Sequence, residues 1–375
     1  MAPANPEPRN HVFIIDGTLS RLDEGEETNA GLLYKLLAEQ GVSRAQTFGY
    51  DPGVQGEGLR KWLIIAAGMG IGRSIRHAYS TLASRYRPGD RIFLFGYSRG
   101  AYAVRSLAGL ISRIGLLRHD VATERRIVRA YRYYEGSRIT EAAQAFSRHY
   151  CHRDVEIEFV GIWDTVAALG LPYPILNRLA PMATEFHDTQ LSNTVRNAFH
   201  ALAIDENRVS YSPILWETGP DYSGRIEQIW FPGTHGDIGG QVRLRPAARN
   251  LANIPLTWIL DQAESCGLRL PEGWQSEFPL NPIAPMVGSY VGTGRFFIAR
   301  RPRVVGECAS EAIHSAVNAR MAKRKRYQPK ALITLPGFQI PRGRRWPARP
   351  LKTQPTPSKP EPEPPEGEAK ATPAE

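Results

Sequence analysis

Cysteine is scarce in this 375-residue chain, with only Cys151, Cys266 and Cys308 present. They are odd in number and far apart, so neither a disulfide framework nor a zinc-ligand set is implied. Long apolar runs are missing too. The longest near a helix, Trp62 to Ile71, is too short to span a bilayer and is flanked by Arg60, Lys61 and Arg73. The first ten residues are Pro-rich and polar, without the apolar core of a cleaved leader. The expectation is a protein made in the cytoplasm, whose export as an effector would need a leaderless route. No internal repeat is visible.

What is present reads as globular. Hydrophobic residues make up 42% and charged residues 22%, an ordinary balance for a folded domain. The formal net charge is +10. The last 23 residues, Thr353 to Glu375, carry two Lys and five Glu, a net of −3, so the rest carries about +13. A basic body suits anionic partners such as a phospholipid surface, or simply a well-solvated exterior. Nucleic-acid binding would need stacking aromatics and a recognisable module, and neither is apparent.

The chain alternates strand and helix signals. His11 to Ile15 is an apolar run ending at Asp16-Gly17-Thr18, and Thr47 to Tyr50 is stopped by Asp51-Pro52-Gly53. Ile92 to Phe95 is a continuous apolar run, as expected of a strand buried on both faces, and Val155 to Trp163 and Ile226 to Phe231 are further buried-strand patterns. Leu32, Leu33, Leu36 and Leu37 share one side of a helix. Ile75, Ala78, Tyr79, Leu82 and Tyr86, and then Ala103, Leu107, Leu110, Ile111 and Ile114, recur at helical spacing. The predicted fold class is α/β, a mostly parallel sheet with helices on both faces. Sites in such sheets form at the carboxyl ends of strands. Asp16, Ser98, Asp164 and His235 each lie just after a predicted strand.

Gly96-Tyr97-Ser98-Arg99-Gly100 has the Gly-x-Ser-x-Gly spacing of a nucleophile elbow, between a strand and a helix. A sharp turn there strains the serine backbone and lifts its hydroxyl clear of the sheet. Side chains two positions either side would clash, which explains the glycines. The Arg99 amide, at the start of the helix, is then placed to donate to an oxyanion.

A serine hydroxyl needs a base to take its proton, and the base needs a carboxylate to orient it. His235, in Gly233-Thr234-His235-Gly236-Asp237-Ile238-Gly239-Gly240, is the candidate base. Four glycines in eight residues suggest a loop that packs closely or turns sharply. His200 and His314 fall in helical-looking segments and are reserves better suited to core or capping roles. Asp164, ending a buried strand between Ser98 and His235, is the candidate acid. Asp237 is the rival, although two residues from His235 it fits better as a loop anchor bonded to backbone amides. Gly17 and Thr18 amides are candidates for the second oxyanion donor, with Asp16 shaping their turn. A haloacid-dehalogenase phosphatase reading of Asp16-Gly17-Thr18 fails, because the position of its nucleophilic Asp is Ile14.

Taken together these segments resemble the catalytic domain shared by type VI secretion phospholipase effectors and their relatives, a bacterial α/β-hydrolase domain. The matching stretches include Asp16-Gly17-Thr18, Thr28-Asn29 and Tyr50 through Val54. Pro88 through Leu110, Gly161 to Val166, His200 to Ala203 and Trp230 through Asp237 match as well. Ile313-His314-Ser315 and Tyr327-Gln328-Pro329 also look similar. One departure is Gln241, where relatives often carry a third glycine. The resemblance implies an α/β-hydrolase fold, phospholipase activity, and Ser98, Asp164 and His235 as the triad. It implies a lipid or ester substrate and no metal or organic cofactor, and leaves the oligomeric state open.

The expected organisation is a flexible N-terminus at 1–9, a catalytic domain at 10–340 and a disordered Pro/Glu/Lys-rich tail at 341–375. Segments 167–182 and 280–300 are expected to shape the acyl pocket, the former as a lid or wall. A basic run at Arg320, Lys323, Arg324, Lys325 and Arg326, continued by Arg342, Arg344, Arg345 and Arg349 around Trp346, suits an anionic membrane surface or a solvated helix end. The overall reading is a serine-dependent carboxylic-ester hydrolase. The alternatives are an esterase or thioesterase with a small soluble substrate, and a non-enzymatic binding protein on the same fold.

Overall fold

The computed structural model describes residues 8–53, 70–166 and 190–333, apart from Leu19, Ser137, Arg153 and Pro220. The expected lid segment and the C-terminal tail lie outside the described residues. Seven strands form one parallel sheet in the order β2-β1-β3-β4-β6-β8-β9. They are β1 (Asn10–Ile15), β2 (Gln46–Asp51), β3 (Arg91–Tyr97), β4 (Ile157–Trp163), β6 (Val195–Ala203), β8 (Arg225–Phe231) and β9 (Glu311–Ile313). Two short strands, β5 (Gln190–Leu191) and β7 (Glu217–Thr218), pair separately.

Alternation along each strand sorts side chains between the two faces. Phe13, Ile15, Ile92, Leu94, Val160 and Ile162 point to one side. There they meet α2 (Ile71–Arg85), α3 (Arg99–Ile114) and α4 (Glu124–Glu135), with α5 (Glu141–Tyr150) beyond. Val12, Ile14, Phe93, Phe95, Phe159, Phe199 and Phe231 point to the other side. They pack on α1 (Asn29–Gln40) and α7 (Arg249–Ser265). On this face Phe159 lies 5.3 Å from Phe95 and 5.1 Å from Phe199, centroid to centroid. Each such ring contact adds about 0.5–1.5 kcal/mol beyond area burial. Gly161 makes room for this layer, since a Cβ there would lie 2.6 Å from Phe159 and 2.8 Å from Ile259.

The chain reverses direction across the sheet between β1 and β3. In open parallel sheets that switch point opens a crevice at the carboxyl ends of the two strands. Asp16-Gly17-Thr18 leaves β1 there and Ser98 leaves β3 there.

Two elements differ from the sequence reading. Residues 195–203 are the central strand β6, not a helix, so His200 lies in the sheet. The run has three Ala among its nine residues and is mostly buried, and such a segment carries no periodicity that separates strand from helix. Residues His235–Gly239 form a short helix, α6, instead of a loop. Asp237 at its third position binds back to Thr234 before its first turn, which nucleates it. Among the described residues no helix is long and apolar enough to cross a membrane. All three cysteines are free thiols, Cys151 buried.

Candidate active site

Ser98 sits between β3 and α3 with φ 58° and ψ −119°. It and Asp164, at φ 43°, are the described non-glycine residues with positive φ. Such backbone costs about 1–3 kcal/mol and persists where surrounding structure enforces it. The flanking glycines are enforced by backbone. A Cβ on Gly96 would lie 2.6 Å from the Gly100 carbonyl oxygen. A Cβ on Gly100 would lie 2.1 Å from the Ile15 carbonyl oxygen and 2.4 Å from that of Asp16.

The structure brings Ser98, His235 and Asp164 into one line of hydrogen bonds. Ser98 Oγ lies 2.8 Å from His235 Nε2, and His235 Nδ1 lies 2.6 Å from Asp164 Oδ2. His235 is the first residue of α6, and its ring rests between two tyrosines. Tyr97 lies 5.0 Å away and Tyr211 lies 4.8 Å away in an edge contact. Gly239 and Gly17 make room for the Tyr97 ring, because a Cβ on Gly239 would lie 1.9 Å from it and one on Gly17 2.7 Å. Thus part of the glycine-rich stretch serves a tyrosine behind the histidine. Burial lowers the His235 pKa, the Asp164 bond opposes that, and burial prevails. The imidazole is therefore neutral at pH 7 and able to accept a proton.

Asp164 is fully buried and ion-paired to Arg303, a residue no sequence signal singled out. Arg303 Nη1 donates to Oδ1 and Nη2 donates to Oδ2 at 2.9 Å, a bidentate fork. The Ala203 amide also donates to Oδ1, at 2.9 Å. Arg303 further donates to the carbonyls of Ala203 and Tyr211. Burial works against the Asp164 carboxylate. The Arg303 charge and the His235 bond outweigh it and hold the carboxyl well below the usual carboxylate range. Arg303 lies 139 residues from Asp164 in a segment without periodicity, Arg300-Arg301-Pro302-Arg303, so only the folded chain reveals the pair.

Asp237 does not touch His235. Its Oδ2 accepts from the Thr234 amide and hydroxyl, each at 2.8 Å, and its Oδ1 accepts from the Val287 amide at 2.6 Å. It anchors the turn that carries His235. His200 is buried in β6, where its Nε2 accepts from the Thr165 amide at 3.1 Å. Burial pushes its pKa down to about 3, so it is a neutral core group. His314 caps α8 (Ser315–Lys323) by accepting from the Ala316 amide. Glu206, also missed from sequence, is buried and accepts from the His235 amide at 3.2 Å. Burial would raise its pKa, but its ion pair with Arg208 at 2.7 Å draws it down to about 2.

The turn after β1 differs in one respect from expectation. The Gly17 amide donates to Asp16 Oδ1 at 2.6 Å, so it does not face the serine as a free donor. Asp16 Oδ2 accepts from the Thr28 hydroxyl at 2.6 Å and the Tyr50 hydroxyl at 2.7 Å, which fixes the turn. The Thr18 hydroxyl is buried without a partner among the described residues, and Thr18 shares a small cleft with Asp16, Gly53 and Arg99. Gln241, the departure from the glycine pattern, ties this turn to the histidine side. Its Oε1 accepts from the Tyr97 hydroxyl at 3.2 Å and its Nε2 donates to the Thr18 carbonyl at 3.4 Å. Within the basic run, Arg320 is buried and donates to the carbonyls of Pro282 and Ala284, so it is part of the framework and not of a membrane-facing surface. The arginines from Arg342 onward lie outside the described residues.

Comparison with known proteins adds the family. Residues 9–262 match the catalytic-domain model described as T6SS, phospholipase effector Tle1-like. The chain is 31% identical over 241 residues to the uncharacterized protein YEL023C of Saccharomyces cerevisiae, covering 56% of this chain and 33% of that one. The chain thus spans about a third of that relative's length, and matching sequence is not confined to bacteria. Among solved structures it is similar, at 16% identity and a TM-score of 0.43, to a Tle1 effector bound to the VgrG spike of the type 6 secretion system. That match covers 80% of this chain and 82% of the other. An uncharacterized protein from Pseudomonas aeruginosa matches at 16% identity and a TM-score of 0.42, over 73% of this chain and 49% of that one. With the model match running from β1 to α7, the chain belongs to the Tle1-like catalytic-domain family of type VI secretion phospholipase effectors.

Proposed function

We propose that this chain is a serine-dependent carboxylic-ester hydrolase that cleaves acyl esters of phospholipids. The observation that carries the reading is the continuous line from Ser98 Oγ through His235 to Asp164. Ser98 Oγ attacks the acyl carbonyl as its proton passes to His235 Nε2. Asp164 keeps the Nδ1 proton in place and stabilises the imidazolium. The oxyanion forms against the Arg99 amide at the start of α3, with the Thr18 hydroxyl, which has no partner among the described residues, as second donor. Collapse expels the alcohol, which takes the proton from Nε2. Water, activated by the same nitrogen, then releases the fatty acid and frees Ser98.

Arg303 gives Asp164 a counter-charge in this scheme, so the carboxylate stays ionised while His235 stays neutral between turnovers. Support for a phospholipid substrate comes from the family and from the basic body of the chain. The direct experiment is mass spectrometry of lipid extracts incubated with wild type and with Ser98→Ala. Fatty acid and lysophospholipid released by wild type alone support the reading. Equal release by both proteins, or release of a phosphorylated headgroup instead, overturns it.

A further inference from the structure

Among the described residues ten large apolar side chains are exposed. Six of them, Val209, Leu244, Tyr290, Phe296, Ile298 and Val304, gather on or against the segment 290–304. The contacts place them together. Leu244 packs on Gly292, and the Val209 amide donates to the Ala299 carbonyl at 3.0 Å. Tyr290 lies under the Arg300 guanidinium at 3.7 Å. The alternation at the tip is informative. Phe297 points inward and is buried, while its neighbours Phe296 and Ile298 are 57% and 78% exposed. The inner ring leads to the site: Phe297 packs on Tyr211 at 5.4 Å, and Tyr211 packs on His235.

The segment is held in one shape. Arg300 donates to Asn207 Oδ1, to the Ser289 hydroxyl and carbonyl, and to the carbonyls of Gly294 and Phe297. An exposed apolar tip on a rigid support is costly in water and signals a partner. Its charge selects the partner. From Pro279 to Gly306 the chain has no Asp or Glu and four arginines; Arg303 is buried against Asp164 and Arg300 is bonded within the segment, which leaves Arg295 and Arg301 exposed. A second copy of this chain would bring its own Arg295 and Arg301 against these two. An anionic lipid surface meets both the charge and the apolar tip.

We propose that the segment 290–304, with Leu244 and Val209 beside it, is the surface that seats this chain on an anionic lipid bilayer, next to the Ser98 site. Phe296 and Ile298 enter the boundary between headgroups and acyl chains, while Arg295 and Arg301 lie against lipid phosphates. The orientation rests on the ester-hydrolase reading; the lipid contact itself does not.

The test uses the full chain and co-sedimentation with two kinds of vesicle, phosphatidylcholine alone and equal parts phosphatidylcholine and phosphatidylglycerol. Wild type is expected to bind the second kind in a salt-sensitive manner and the first kind weakly. F296S/I298S is expected to raise the lipid concentration for half-binding about tenfold or more, since two apolar side chains no longer leave water. R295Q/R301Q is expected to raise it about fivefold per charge. Val42→Ser, an exposed apolar site before the start of β2, serves as control and leaves binding unchanged. Hydrolysis of p-nitrophenyl butyrate, a soluble ester, is measured on every variant. Lost vesicle binding with intact soluble-ester hydrolysis in both double variants supports the surface. Vesicle binding equal to wild type in both double variants overturns it, as does a wild type that ignores both vesicles. A change from dimer to monomer in the double variants without any vesicle binding also overturns it and assigns the patch to self-association. Absent soluble-ester hydrolysis in wild type, with vesicle binding still lost in the variants, counts against the hydrolase reading alone.

Discussion

Replacing Arg303 by Met tests the electrostatics of the site in a single step. Met preserves an apolar stem but removes four hydrogen bonds, two to Asp164 and one each to the Ala203 and Tyr211 carbonyls. Asp164 then keeps only the Ala203 amide and His235. Breaking a buried pair by deleting one partner costs about 3–5 kcal/mol, because the other charge is left uncompensated. The pH dependence has a definite sign. In wild type the folded Asp164 pKa is depressed, by Arg303 and His235 acting against burial. Its contribution to stability is complete above the unfolded value of about 3.9 and is lost as pH falls through the folded value. In the variant that loss begins at higher pH. His235 responds in the opposite sense to its present depression. A carboxylate without its counter-charge favours imidazolium, so the acid limb of kcat/KM moves up by about one to two pH units at an effective dielectric of about 20. Urea unfolding at pH 7 reads the first effect, and a pH profile on p-nitrophenyl butyrate reads the second. Arg303→Lys, which keeps the charge but not the fork, lies between. A Met variant within about 1 kcal/mol of wild type, with an unmoved acid limb, refutes the reasoning.

Further outcomes follow from the same geometry. In wild type the acid limb of kcat/KM has its midpoint below 6.5, because burial holds the His235 pKa under its ordinary value; a midpoint above 7 contradicts this. Asp164→Asn lowers kcat by about 10³–10⁴-fold through loss of the carboxylate behind the histidine. Asp237→Asn instead weakens the turn that anchors His235 by about 1–3 kcal/mol and lowers kcat far less; the reverse ranking in steady-state kinetics would exchange the two roles. Thr18→Val lowers kcat by roughly 10²-fold with little change in KM, as expected for a donor used only in the transition state, and a change confined to KM argues against that role. Gly100→Ala prevents folding or shifts Tm down sharply, because its Cβ would meet two backbone carbonyl oxygens that cannot move aside.

Much of this site is legible in the sequence, for identifiable reasons. Ser98 is readable because the elbow demands glycine at two fixed offsets, and because an apolar strand and a periodic helix flank it. Asp164 and His235 are readable as positions because strand ends are marked by the switch from apolar residues to polar or glycine ones. Which aspartate meets the histidine is not readable, since Asp164 and Asp237 both follow strand ends by short steps. The fold decides between them by setting β4 beside β6 and β6 beside β8. Arg303 and Glu206 are invisible in the chain for the same reason: each reaches the site across long sequence separation from an irregular segment. The Gly17 amide misleads because its own neighbour Asp16 competes for it, a side-chain contact within one turn. His200 misleads because an Ala-rich central strand resembles a helix in composition.

The central claim is that Ser98 is a nucleophile activated by His235. Intact-mass and peptide mass spectrometry after exposure to a fluorophosphonate probe test it most directly. The account predicts a single adduct on Ser98 in wild type, none in Ser98→Ala and a strongly slowed reaction in His235→Ala. An unlabelled wild type, or an adduct that persists in Ser98→Ala, would contradict it.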